Sequence, residues 1–124
     1  MRFFRLLITV AITVLGITLG SRNALSQAPE SPVGEEGRTI VVELYDNYFD
    51  PKEIRIAKGE KTKIWLKNKG VNDHTFTVEE LDVDVELKPG VEKMVTVEPQ
   101  TAGTFKVICR FHEKEGMVGE LHVQ

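Results

Sequence analysis

The chain has 124 residues, with 16 Lys and Arg against 19 Asp and Glu, three histidines and a single cysteine, for a formal charge of −3. That length allows one core-bearing domain, and the acidic balance argues against nucleic acid, whose phosphates demand a positive footprint. A single cysteine rules out an internal disulfide.

The first residues are expected to lie outside that domain. Arg2 and Arg5 make a basic start, residues 6–20 are uncharged and apolar, and residues 21–28 are polar and small, including Ala24, Leu25 and Ser26. This is the layout of a secretory signal peptide over residues 1–26, with a retained N-terminal anchor as the alternative. Contact with a membrane is expected only if that segment is kept. Without Arg2, Arg5 and Arg22, 13 basic residues face 19 acidic ones, a formal charge of −6. Such a surface suits a basic docking partner, and equally serves solubility alone. An exported chain meets an oxidising compartment, where a free exposed thiol is a liability. Cys109 is therefore expected to be buried or held by a metal. Residues 27–37, rich in Pro, Glu, Gly and Ser, read as a flexible tether. The domain proper is expected over residues 38–124.

From there the pattern is one of short strands and turns, with no long helical period. Residues 39–45 form a β-branched first strand, and residues 46–51 break it, with Pro51 unable to donate to a ladder. Ile54 and Ile56 mark a second strand. Thr62, Ile64 and Leu66 alternate with lysines, with Trp65 expected half covered. Residues 74–78 follow, then the alternation of Leu81, Val83, Val85 and Leu87 with Asp82, Asp84 and Glu86, an acidic stripe read as the solvent face of a half-buried strand. Pro89-Gly90 makes a turn, residues 93–97 another strand, and Gly103 leads into the strand carrying Cys109. The fold class is all-β. About eight such strands predict a two-sheet antiparallel β-sandwich of Greek-key type.

The chemistry gathers near the end. Cys109 is followed by His112 and then Met117, with Gly116 and Gly119 turning the chain into a last strand. Thiolate, imidazole and thioether suit copper better than calcium or magnesium. A trigonal Cys-His-His site with a weak axial Met needs one more histidine, and His74 and His122 are both available.

At this point the sequence resembles the cupredoxins, the small blue copper proteins, and among them the plastocyanin-like group. The resemblance covers residues 48–123. It rests on Phe49-Asp50-Pro51 with Ile54 and Ile56, Gly59, Asn68 before His74, Pro89-Gly90, Pro99, Gly103-Thr104-Phe105, and the series Cys109, His112, Gly116, Met117, Gly119. By position it implies one type 1 copper ion held by His74, Cys109, His112 and Met117, with Met94 and His122 as packing or surface residues.

It further implies a one-electron carrier rather than an enzyme, exported, monomeric, and shuttling between redox-protein donor and acceptor such as a cytochrome or a membrane oxidase. His112 would be the electron port. Scavenging, storage or delivery of copper is the alternative; the absence of Met-rich or His-rich tracts counts against it. The dinuclear copper domain of a terminal oxidase needs two cysteines, and multicopper oxidases need further histidine clusters. The chain departs from the plastocyanin pattern at Phe111, Asp73 and Thr75. Asp73 is expected to influence the neighbouring ligand, and Phe111, Val71 and Val118 to form an apolar rim around His112.

Overall fold

The structure, a computed structural model, describes residues 37–124. The expected signal segment and nearly all of the tether lie outside the described residues. Among the described residues no helix is long and apolar enough to cross a membrane.

Alternation of apolar with charged residues produces nine strands: β1 (Thr39–Tyr45), β2 (Tyr48–Asp50), β3 (Glu53–Ile56), β4 (Thr62–Asn68), β5 (His74–Val78), β6 (Val83–Leu87), β7 (Glu92–Val97), β8 (Gly103–Ile108) and β9 (Val118–Val123). They form a four-stranded sheet in the order β2-β1-β4-β7 and a five-stranded sheet in the order β3-β9-β8-β5-β6. The all-β, two-sheet sandwich is as expected.

Three local expectations change. Neither sheet is purely antiparallel, because β1 runs parallel to β4 and β3 parallel to β9. A parallel pair needs a crossover rather than a hairpin. Here the chain folds back as β2 and passes to the other sheet as β3, so that β4 returns beside β1 in the same direction. The extra strand is β2, three residues long, inside the segment read as a break. Asn47, with φ 70°, makes the tight turn that lets it pair with β1. Finally, β6 starts at Val83 rather than Leu81. Glu79–Leu81 is a single helical turn closed by Asp82 at φ 53°.

The core lies between the sheets and includes Val42, Leu44, Ile64, Leu66, Phe76, Val78, Val107 and Leu121, all essentially inaccessible. Each such side chain contributes roughly 1.5–3 kcal/mol of transfer free energy relative to exposure. Trp65 is 36% exposed, and the Lys67 ammonium lies 4.0 Å from its ring centroid. All five residues of β5 are buried. Since successive side chains face opposite ways, both faces of β5 are covered, and His74 opens a strand with no solvent side.

Candidate metal centre

Three loops at one end of the sandwich meet around the β5 start. The first runs from β4 to β5 and is shaped by buried Asn68. Its amide donates to the carbonyls of Asn72 and Leu87 at 2.8 and 2.9 Å, and its oxygen accepts from the Gly70 N–H at 2.9 Å. The second runs from β8 to β9. His112 N–H donates to the Cys109 carbonyl, and Met117 N–H to the His112 carbonyl, each at 3.1 Å. Cys109 N–H donates to the Met117 carbonyl at 3.1 Å. Gly116, at φ 90°, ends the helical turn Glu113–Glu115 in a conformation other residues rarely adopt. The third loop is the β1–β2 turn, which contributes Asp46.

These loops bring together a thiol and two imidazoles. Cys109 Sγ lies 3.4 Å from His112 Nδ1 and 3.8 Å from His74 Nδ1. The three donor atoms all fall within 4.8 Å of one another. His74 and Cys109 are fully buried, and His112 is partly exposed. The two rings are 4.9 Å apart between centroids. Soft sulfur and two borderline nitrogens facing one point are the donor set of a copper site, so the residues fit that ion. The Thr75 N–H donates to Cys109 Sγ at 3.3 Å, and the Arg110 N–H donates to Thr75 Oγ1 at 2.8 Å. Thr75 thus ties the two ligand loops together.

Behind them, Asp84 accepts from Thr77 Oγ1 and from Arg110 Nε, both at 2.8 Å. The Arg110 guanidinium, and then Thr77, hold the Asp84 carboxyl below its ordinary range, and Asp84 in turn raises Arg110. The acidic stripe is therefore not uniformly solvated: its middle member clamps the cysteine loop to β5.

The four sequence-predicted ligands divide into two groups. His74, Cys109 and His112 converge by their side-chain donor atoms. Met117 is fully buried, and its backbone clasps Cys109 and His112. Of the two histidines left open as the second imidazole, His74 faces the thiol. His122 lies on β9, where its Nδ1 is 3.0 Å from Thr104 Oγ1, so it is not without a partner. Cys109 lies just beyond β8 rather than inside it. Gly119 lies within β9 rather than in the turn, close under the Lys52 carbonyl.

The side chain of Asp73 does not face His74. Asp73 turns outward to Lys88 at 3.3 Å. The carboxylate beside the ligand belongs to Asp46, 2.8 Å from His74 Nε2. It also accepts from the backbone N–H groups of Val71 and Asn72. The Val71 N–H and the His74 ring hold the Asp46 carboxyl below its ordinary range. No local pattern marked Asp46, which stands 28 residues before its partner.

Residues 9–123 match the family described as cupredoxin-like domain. The chain belongs to the cupredoxin-like family. Among relatives of this cupredoxin-like chain, the copper-resistant cuproprotein CopI of Pseudomonas aeruginosa is 33% identical over 82 residues. That alignment spans 61% of the chain but only 45% of CopI. Solved structures agree in fold. The dithionite-reduced auracyanin of Roseiflexus castenholzii superposes with a TM-score of 0.60 at 19% identity, covering 71% of this chain and 98% of auracyanin. The metal-binding domain of the Cu(I)-exporting P-type ATPase CopA of Streptococcus pneumoniae D39 gives 0.61 at 18% identity, covering 69% and 84%. Family membership and the His74/Cys109/His112 cluster together support copper binding by this cupredoxin.

Proposed function

We propose that the protein is a type 1 copper protein carrying single electrons outside the cytoplasmic membrane. The observation that carries this reading is the convergence of Cys109 Sγ with the Nδ1 atoms of His74 and His112 at one end of the sandwich. One copper ion would be held by His74, Cys109, His112 and Met117, a thiolate, two imidazoles and a thioether that suit copper. Bound copper would supply a Cu(I)/Cu(II) couple.

The chain's own part is to keep the donors in place. Thr75 holds the sulfur by its N–H and the Arg110 backbone by its hydroxyl, and Asp84 holds Arg110 from outside. A frame fixed from several elements resists rearrangement when charge changes, which keeps the electron-transfer barrier low. His112 is the one partly exposed member of the cluster and serves as the electron port. Beside it Phe111, its ring 6.4 Å from that of His112, is 45% exposed, an apolar contact for a redox partner such as a cytochrome or a membrane oxidase, and Val71 in the β4–β5 loop is 80% exposed. No bond of a substrate is made or broken, and the protein works as a monomer.

Similarity to the copper-resistant CopI favours a second reading, in which the site scavenges, stores or delivers copper. One experiment separates them. The purified protein is loaded with cupric ion, its visible and paramagnetic-resonance spectra are recorded, and two rates are measured. A blue band with fast electron self-exchange supports the carrier; rapid transfer of the ion to a metal-free acceptor supports delivery. A colourless protein that takes up no copper rejects both.

A further inference from the structure

Asp46 is an unusual neighbour for this site. It comes from the β1–β2 turn, and its Oδ1 lies 2.8 Å from His74 Nε2. That contact is built in rather than accidental. The same carboxylate is anchored by the Val71 N–H at 3.1 and 3.2 Å, the Asn72 N–H at 3.3 Å and the Asn72 amide at 3.2 Å. Gly70 makes room for it. A Cβ at position 70 would stand 2.3 Å from Asp46 Oδ1 and 2.7 Å from His74 Nε2, so any larger residue there would intrude between them.

An ionised carboxylate only accepts hydrogen bonds. His74 must therefore carry its ring proton on Nε2, which leaves the Nδ1 lone pair facing Cys109 Sγ. A carboxylate on the far nitrogen also makes an imidazole a stronger donor. Its negative charge, one ring away from the metal position, favours the more positive oxidation state of a bound ion.

We infer that Asp46 is a positioning residue: it fixes the Nε2–H tautomer of His74 and biases the site toward the oxidised ion, with Gly70 as the gap that admits it. The tautomer half stands on the protein alone; the redox half rests on the copper reading above.

The two halves are tested separately. In the purified metal-free protein, nitrogen NMR of His74 is expected to show the Nε2–H form, with Asp46→Ala giving a tautomer mixture. In the copper-loaded protein, Asp46→Ala is expected to weaken Cu(II) binding about 10- to 100-fold, with a smaller loss for Cu(I). Each tenfold difference between those two losses raises the potential by about 59 mV. Asp46→Asn keeps an acceptor for the Val71 and Asn72 N–H groups while removing the charge. It is expected to raise the potential while lowering Tm less than Asp46→Ala does. Gly70→Ala, which pushes the pair apart and leaves both side chains present, is expected to raise the potential as well.

An unchanged potential in both Asp46→Asn and Gly70→Ala would reduce Asp46 to a loop anchor and overturn the redox half. An Nδ1–H tautomer in the metal-free parent would overturn the other. A protein that binds no copper would remove the copper reading while leaving the tautomer result to stand or fall by itself.

Discussion

Among the described residues, two clusters place three metal-capable side chains within 4.8 Å of one another: His74, Cys109 and His112 at the loop end, and Glu53, Glu120 and His122 on β3 and β9. On proximity alone they are equivalent. The first is buried at His74 and Cys109 and partly exposed at His112, and its donor atoms face one another. The second is more exposed, and two of its three residues are engaged in part, Glu53 by Arg55 and His122 through Nδ1 by Thr104. Arg55 sits 3.3 Å from Glu53, and His122 Nε2 is 3.3 Å from Glu120 Oε2. That short separation does not make a hydrogen bond, since His122 Nε2 has none. Register explains the second cluster fully: Glu53 is paired with Glu120 across a parallel ladder, and Arg55 with His122. Closeness of donors is thus a by-product of strand pairing in one place and the result of three loops meeting in the other.

That contrast can be broken by experiment. The largest effect is expected from Cys109→Ser, which should abolish the visible band and most of the copper affinity, since oxygen replaces the one strong sulfur donor. Retention of both would place the ion elsewhere.

Next comes the frame. Asn68→Ala removes the donors to the Leu87 and Asn72 carbonyls and leaves the Gly70 N–H with the Leu44 carbonyl alone, and is expected to cost about 2 kcal/mol by denaturant unfolding. A cost near zero would mean that the His74 loop holds itself.

Phe111→Asp is expected to slow electron transfer with the natural partner about tenfold while leaving the spectrum unaltered. An unchanged rate would remove Phe111 from the docking surface.

A smaller effect concerns pH. Asp84 has a folded value below its ordinary 3.8, so the stability it contributes is present above that value and is lost as pH falls through the lowered one. In the metal-free protein, the Tm advantage of the parent over Asp84→Asn should be present at pH 7 and shrink by pH 3. A constant gap would mean that Arg110 is held by other groups. The smallest effect is expected at the second cluster. His122→Gln should change stability by about 0.5 kcal/mol or less and leave copper stoichiometry at one per chain. A drop from two to one would make the clusters equals after all.

What the linear sequence determined follows from short separations. Cys109, His112 and Met117 lie in one turn, so their joint placement depends on local backbone geometry, and Gly116 announces it. The alternation in β4 likewise foretold Ile64 and Leu66 inside and Trp65 half out. His74 was legible only through resemblance, because nothing nearby distinguishes it from His122.

Tertiary structure decided the rest. The pairing of β1 with β4 and of β3 with β9 joins segments that carry no hairpin signal between them. Asp46 reads as an ordinary turn residue until the sandwich closes and sets it against a histidine far along the chain. A side chain's periodicity records which face it occupies, whereas its partner across a loop is fixed only when the sheets stack and the remaining polar groups must find one another.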